Sequence, residues 1–190
     1  MARQLPKEGG AFVLDPSPAA ELIEAFTNTV DLESGDDDVA TPAALAEWLA
    51  ARSLAEPSLR LDADEHSAFL ALRAGIREAL DTGDPVAPER PALADAVLAD
   101  VPLLVTLGAP GAPLVPAPGG PPARTALARL AVAWAELVLT GQIHRLKRCA
   151  EHTCGWVFWD ASKNHSRRWC SMRVCGNRTK SRRYAARQRD

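Results

Sequence analysis

The feature that most constrains this chain is the placement of its cysteines. All four fall within 27 residues, as Cys149-x4-Cys154 and, after fifteen intervening residues, Cys170-x4-Cys175. Two close thiolate pairs separated by a short stretch can set four sulfurs tetrahedrally around Zn²⁺ at about 2.3 Å each. The opening "MARQLPKEGGAFVLDPSP" has no continuous apolar core of a secretory leader, so a cytoplasmic protein is expected. In that setting clustered cysteines read as metal ligands rather than as disulfides. His144, His152 and His165 lie near enough to compete, but a closed four-cysteine set is preferred. Such a set leaves no open position for water, so one structural zinc is expected.

The intervening "GWVFWDASKNHSRRW" predicts a hairpin, with "WVFW" as first strand, "ASKNHS" holding the turn and "RRWC" returning toward the metal. Three of the five tryptophans, Trp156, Trp159 and Trp169, fall in this module. A unit of about 40 residues cannot build a large core, so metal plus aromatic packing is the expected way to hold it.

Charge divides the chain at the same place. Residues 1–140 carry 9 Lys and Arg against 21 Asp and Glu, whereas residues 141–190 carry 13 against 3. Two domains are therefore expected, an acidic body over 1–140 and a basic module over 141–190. Such asymmetry points to a polyanionic partner. No apolar run approaches the roughly 18 residues that a membrane span requires, so no membrane association is expected.

The acidic body reads as helical. "DPSPAAELIEAFTNTVD" offers Asp15 or Ser17 as cap, with Leu22, Ile23, Phe26 and Val30 on one face. "TPAALAEWLAARSL" starts on Thr41 with Pro42 at the first helical position, and it buries Leu45, Trp48 and Leu49. "DADEHSAFLALRAGIREALDTG" opens on a capping box from Asp62 to Glu65 and aligns Phe69, Leu72, Ile76 and Leu80. A fourth helix is expected from Pro88 to about Asp100. "PLLVTL" and "APLVPA" around Pro110-Gly111 predict a small β-hairpin, with an irregular linker as the alternative. A last strong helix aligns Leu127, Leu130, Ala131, Trp134, Leu137 and Val138 and stops at Gly141. The fold class expected is mainly α, of α+β type, with a helical N-terminal domain and a C-terminal zinc module of β-hairpin and basic helix.

After Cys170 the spacing predicts a helix running to about Gln188. At 100° per residue, Arg173, Lys180, Arg183 and Arg187 form one stripe, while Arg178, Arg182 and Arg189 form a second near the direction of Cys175. The first stripe is expected to face outward and meet phosphates, together with Arg167 and Arg168. Arg178 is expected to support the finger by bonding hairpin carbonyls or Asp160. Gly176 should let the helix approach the hairpin closely, and Asn177 should bond a neighbouring turn. No acidic residue lies between Asp160 and Asp190, which favours nucleic acid over a merely solvated face.

"FWDASKNHSRRWCSMRVCGNR" closely resembles the CGNR zinc-finger family, named for the run Cys175-Gly176-Asn177-Arg178. The resemblance covers Phe158, Asp160, Ser162, the Arg167-Arg168-Trp169-Cys170 step and Met172. Upstream, Phe26-Thr27-Asn28-Thr29 followed by Val30 and Asp31 is similar to the Asn-Thr signature of the ABATE domain that usually precedes this finger. The resemblance implies a treble-clef-like finger, zinc ligands at Cys149, Cys154, Cys170 and Cys175, and a stress-linked bacterial transcription regulator.

The leading expectation is thus a regulator that binds DNA through the finger. Alternatives are an RNA-binding or protein-docking module, with the acidic body as ligand sensor or autoinhibitor. Asn28, Thr29, Trp48 and Arg73 are candidates to line a pocket for a small-molecule effector, with helix packing as the plainer role for each. No nucleophile–base pair, HExxH, phosphate loop or dinucleotide fingerprint is present, so no enzymatic activity is expected.

Overall fold

The computed structural model describes residues 15–81, 89–107 and 114–188. Residues 1–14 of the opening stretch and the Pro110-Gly111 turn considered above lie outside these residues. Helix α1 (Pro18–Thr27) is capped by Ser17, whose hydroxyl accepts from the Ala20 amide at 3.3 Å. Helix α2 (Pro42–Ala51) begins with Thr41 as cap and Pro42 as first residue, as expected. Helix α3 (Ala63–Ala79) opens on a complete capping box: Asp62 Oδ1 accepts from the Glu65 amide at 2.8 Å, and Glu65 accepts from the Asp62 amide at 3.0 Å. Both bonds satisfy amides that the first helical turn leaves without partners.

Helix α4 (Glu89–Ala99) returns along α3. A side chain at Gly75 would place its Cβ 2.3 Å from Ala94 Cβ and 2.9 Å from the Arg90 carbonyl oxygen, so only glycine allows this approach. Strands β1 (Leu103–Val105) and β2 (Leu114–Pro116) pair antiparallel, with Leu104 opposite Val115, and they lead into α5 (Pro122–Leu139). Gly141 ends this last body helix at φ +71°, a conformation that glycine adopts without strain. Val138 does not join the core as the helical pattern predicts. It is half exposed, one position round the helix from the buried Leu137.

Ile23, Phe26, Leu45, Leu49, Phe69, Leu72, Leu130 and Leu137 fill the centre of the body. Two further core residues, Leu146 and Val157, come from beyond residue 140. They belong to β3 (Leu146–Arg148) and β4 (Val157–Trp159), which pair antiparallel with Lys147 opposite Phe158. The expected partner for β4 was the "RRWC" segment. The true partner instead precedes the first cysteine, so Cys149 and Cys154 lie in the hairpin loop. Helix α6 (Asn177–Arg187) follows a wide π-type turn at Met172–Gly176 and ends at Gln188.

The finger is docked on the body by polar clamps as well as by apolar packing. Asn28 Nδ2 donates to the Val157 carbonyl at 2.7 Å, and its Oδ1 accepts from the Val157 amide at 2.8 Å. Arg148 reaches Glu78 at 3.1 Å and Asp81 at 3.0 Å, and its amide bonds the Leu80 carbonyl. The basic module and the acidic body thus share one interior.

Candidate metal centre and nucleic-acid interface

The hairpin loop and the π-type turn bring the two cysteine pairs together. All four Sγ atoms lie within 4.8 Å of one another, and none is in a disulfide. Cys154 to Cys170 and Cys170 to Cys175 are each 3.6 Å. A tetrahedron with arms of about 2.3 Å has edges of about 3.8 Å, so the sulfurs stand where zinc needs them. Burial and the adjacent sulfurs push the Cys170 thiol far up and the Cys175 thiol up to about 11. Cys170 and Cys175 therefore keep their protons unless a cation replaces them, and a divalent metal bound by thiolates is the natural replacement. The four cysteines form one structural zinc site. The Cys170 amide donates to Cys149 Sγ at 3.4 Å, which orients a ligand from outside the first shell of sulfurs. His144, His152 and His165 supply no ligand, and all three are exposed.

Two buried carboxylates hold the finger's loops. Asp160 is fully buried; it accepts from Lys147 Nζ at 2.7 Å, from the Ser162 amide at 2.9 Å and from the Arg167 amide at 3.0 Å. Burial alone would raise its pKa, but the Lys147 and Ser162 bonds hold it at about 2. The second is Glu151, which sequence reasoning passed over. It is fully buried and receives Arg182 at 2.5 Å and Thr179 at 2.9 Å, tying α6 to the hairpin loop that holds Cys149 and Cys154. Here too burial raises the pKa and the Arg182 and Thr179 bonds outweigh it, giving about 2. A sequence signal existed: Glu151 and Asp160 are the only acids between Gly141 and Arg189. Acids kept in so basic a segment are candidates for buried partners.

Glu151→Gln should lower the stability of the zinc-loaded protein by about 1.5–3 kcal/mol, the range for hydrogen bonds to charged groups. The folded carboxyl titrates near 2 and the unfolded one near 4.5. The wild type's advantage is therefore complete above pH 4.5 and shrinks as the pH falls below it. Denaturation midpoints of the two proteins across this range check the expectation.

Several predicted roles are corrected. Arg178 bonds neither hairpin carbonyls nor Asp160, whose bonds are filled by Lys147 and two amides. It forms a two-pronged pair with Glu33 of the body at 2.9 and 3.1 Å and reaches Thr153 at 3.3 Å. Arg167 is not a free phosphate contact. Its guanidinium lies 4.6 Å from the Phe158 ring centroid and donates to the carbonyls of Trp169 and Cys170. Gly176 makes its close approach to the Met172 thioether of the preceding turn, not to the hairpin. Asn177 does bond the neighbouring turn as expected, donating to the Arg173 carbonyl at 3.0 Å.

The four pocket candidates also serve packing. Asn28 clamps β4. Thr29 accepts from Arg73, which is bidentate to Asp37 at 2.7 Å on each oxygen. Trp48 packs on Phe26 and beneath Arg52. The polar groups of Asn28, Thr29 and Arg73 are already engaged in these bonds.

The chain's similarity to known proteins agrees with this architecture. A model described as "Putative stress-induced transcription regulator", ABATE, matches residues 20–141. The chain belongs to the ABATE family. Residues 145–188 match the CGNR zinc finger, so the metal centre lies in the part of this ABATE protein where that finger is expected. No curated protein matches the chain.

In this ABATE protein α6 has two unlike faces. Arg178, Thr179 and Arg182 point to Glu33 and Glu151. Lys180 and Arg187, about half a turn away, are exposed and make no side-chain bond among the described residues. Arg173 and Lys163 are likewise exposed and unengaged, while exposed Arg168 lies 5.5 Å from the Trp169 ring. The side chain of Arg183 lies outside the described residues. Among the described residues no helix is long and apolar enough to cross a membrane.

Proposed function

We propose that the protein is a transcription regulator that binds duplex DNA through the outer face of α6. One observation carries this reading: the helix's inner cations are neutralised by Glu33 and Glu151, whereas Lys180 and Arg187 remain open to solvent. Arg173 and Arg168 extend this face, and Arg183 belongs to the same stripe by spacing. A zinc-held turn anchors the start of the helix and Glu151 fixes its inner side. Phosphate groups would thus meet a preorganised row of cations. Such contacts position a protein on DNA and supply affinity without reading sequence.

Among the described residues the acidic body meets α6 through the Glu33–Arg178 pair, which leaves Lys180 and Arg187 open. The body's role is to present the finger and to carry signal or assembly surfaces. The protein acts by binding and not by catalysis, in the cytoplasm at the nucleoid.

Lys180→Ala combined with Arg187→Ala tests the assignment. Each phosphate contact removed should lower the salt slope of binding by about 1, and affinity should fall similarly on all sequences. Zinc content and melting temperature should match the wild type. Unchanged DNA affinity in the double variant would remove this helix face from the interface. Tighter binding to single-stranded RNA than to duplex DNA would move the reading to RNA.

A further inference from the structure

Arg77 of α3 is a buried cation with no carboxylate partner among the described residues. It is 5% exposed. Its Nη1 donates to the carbonyls of Thr27 at 2.7 Å and Val30 at 3.1 Å, and its Nη2 donates to the Gly155 carbonyl at 2.9 Å. The nearby acids are committed elsewhere: Asp37 to Arg73, and Glu78 and Asp81 to Arg148. Arg90 also approaches Glu78, at 3.8 Å. Among the described residues four arginines and three acids thus meet around the C-terminal half of α3, which leaves one positive charge over. Burying an unpaired charge costs several kcal/mol even after relaxation. Carbonyl dipoles offset only part of that.

The missing anion lies next along the chain. Gly155 directly follows Cys154, a ligand of the metal centre. Zn²⁺ held by four thiolates carries a net charge of about −2. We propose that Arg77 is the buried counter-charge of the zinc–thiolate centre, reaching it from the helical body through the Gly155 carbonyl. Burial together with Arg148 and Arg73 pushes the Arg77 pKa down to about 10, while a Cys154 thiolate pulls it up. Arg167 approaches the centre from the other side at the Cys170 carbonyl, but it is exposed and water screens it. Arg77 is the cation that works where screening is weak. The body and the metal then stabilise each other: zinc neutralises Arg77, and Arg77 offsets the surplus charge of the thiolates. The argument depends on the zinc site alone and not on DNA binding.

Two substitutions separate charge from hydrogen bonding. Arg77→Gln keeps a donor and loses the charge, whereas Arg77→Lys keeps the charge with fewer donors. Competition with a zinc chelator should show affinity lowered about 10–100-fold in Arg77→Gln, the range for partners that support metal ligands. Arg77→Lys should stay close to wild type. Wild-type affinity in Arg77→Gln, or equal loss in both variants, would overturn the proposal. The second result would mark Arg77 as a carbonyl cap only. The wild-type protein gives a readout that needs no variant to fold. Stripping its zinc should speed hydrogen exchange along α3 around Arg73–Leu80, and unchanged exchange there would also contradict the proposal.

Discussion

Replacing Cys170 by serine is expected to abolish zinc binding and to unfold the finger. Structural zinc contributes on the order of 10–16 kcal/mol in small fingers, which rivals the whole stability of a typical domain at about 5–15 kcal/mol. From sequence alone, loss of the metal should leave the helical body folded. The packing changes that expectation. Leu146 and Val157 sit in the body's core at 2% and 0% exposure, and Asn28 loses both of its bonds if β4 detaches. The variant should therefore melt at a lower temperature throughout, with the body's transition shifted as well as the finger's. Elemental analysis should find one zinc per chain in the wild type and essentially none in Cys170→Ser. A variant with full zinc content, or a body whose melting is unmoved, would contradict this expectation.

Asp160→Ala should have the next largest effect. It leaves Lys147, 14% exposed, with carbonyls as its only partners among the described residues, and removes the acceptor of two loop amides. Breaking one side of a buried ion pair costs about 3–5 kcal/mol. Unfolding of the zinc-loaded variant by urea should show this loss as a lower midpoint. Pairing Asp160→Leu with Lys147→Met should recover part of it, because no buried charge is then left uncompensated. A single variant as stable as the wild type would show that the loop is held by the metal alone.

The parts of this fold that were legible in the sequence are those with local physics. Thr41-Pro42, the Asp62–Glu65 box and Gly141 mark helix ends through bonds and angles made within a few residues, and the structure has each of them. The cysteine spacing was equally readable, because a tetrahedral site needs two short paired loops. The partner of β4 was not. "LKR" has two cations in three residues and lacks the look of a strand, since what qualifies it is where those cations go: Lys147 to Asp160 and Arg148 to Glu78 and Asp81. The docking of finger on body was also hidden. Asn28 and Val157 are 129 residues apart, and Arg77 and Gly155 are 78 apart. No periodicity links such pairs. The Asn-Thr signature did single out Asn28, but its use as a backbone clamp for β4 is a tertiary fact.

Recognition of duplex DNA by a zinc-anchored basic helix is tested most directly by titrating the zinc-loaded full-length protein with duplex DNA across a salt series. Single-stranded DNA and RNA of matched length run beside it. If the helix face neutralises about five phosphates, log affinity for duplex should fall against log salt with a slope of roughly −4 to −5. Duplex should be preferred over both single strands, and chelation of the zinc should abolish the preference. A slope near zero, or no measurable duplex binding at low salt with the zinc in place, would contradict DNA binding by this face.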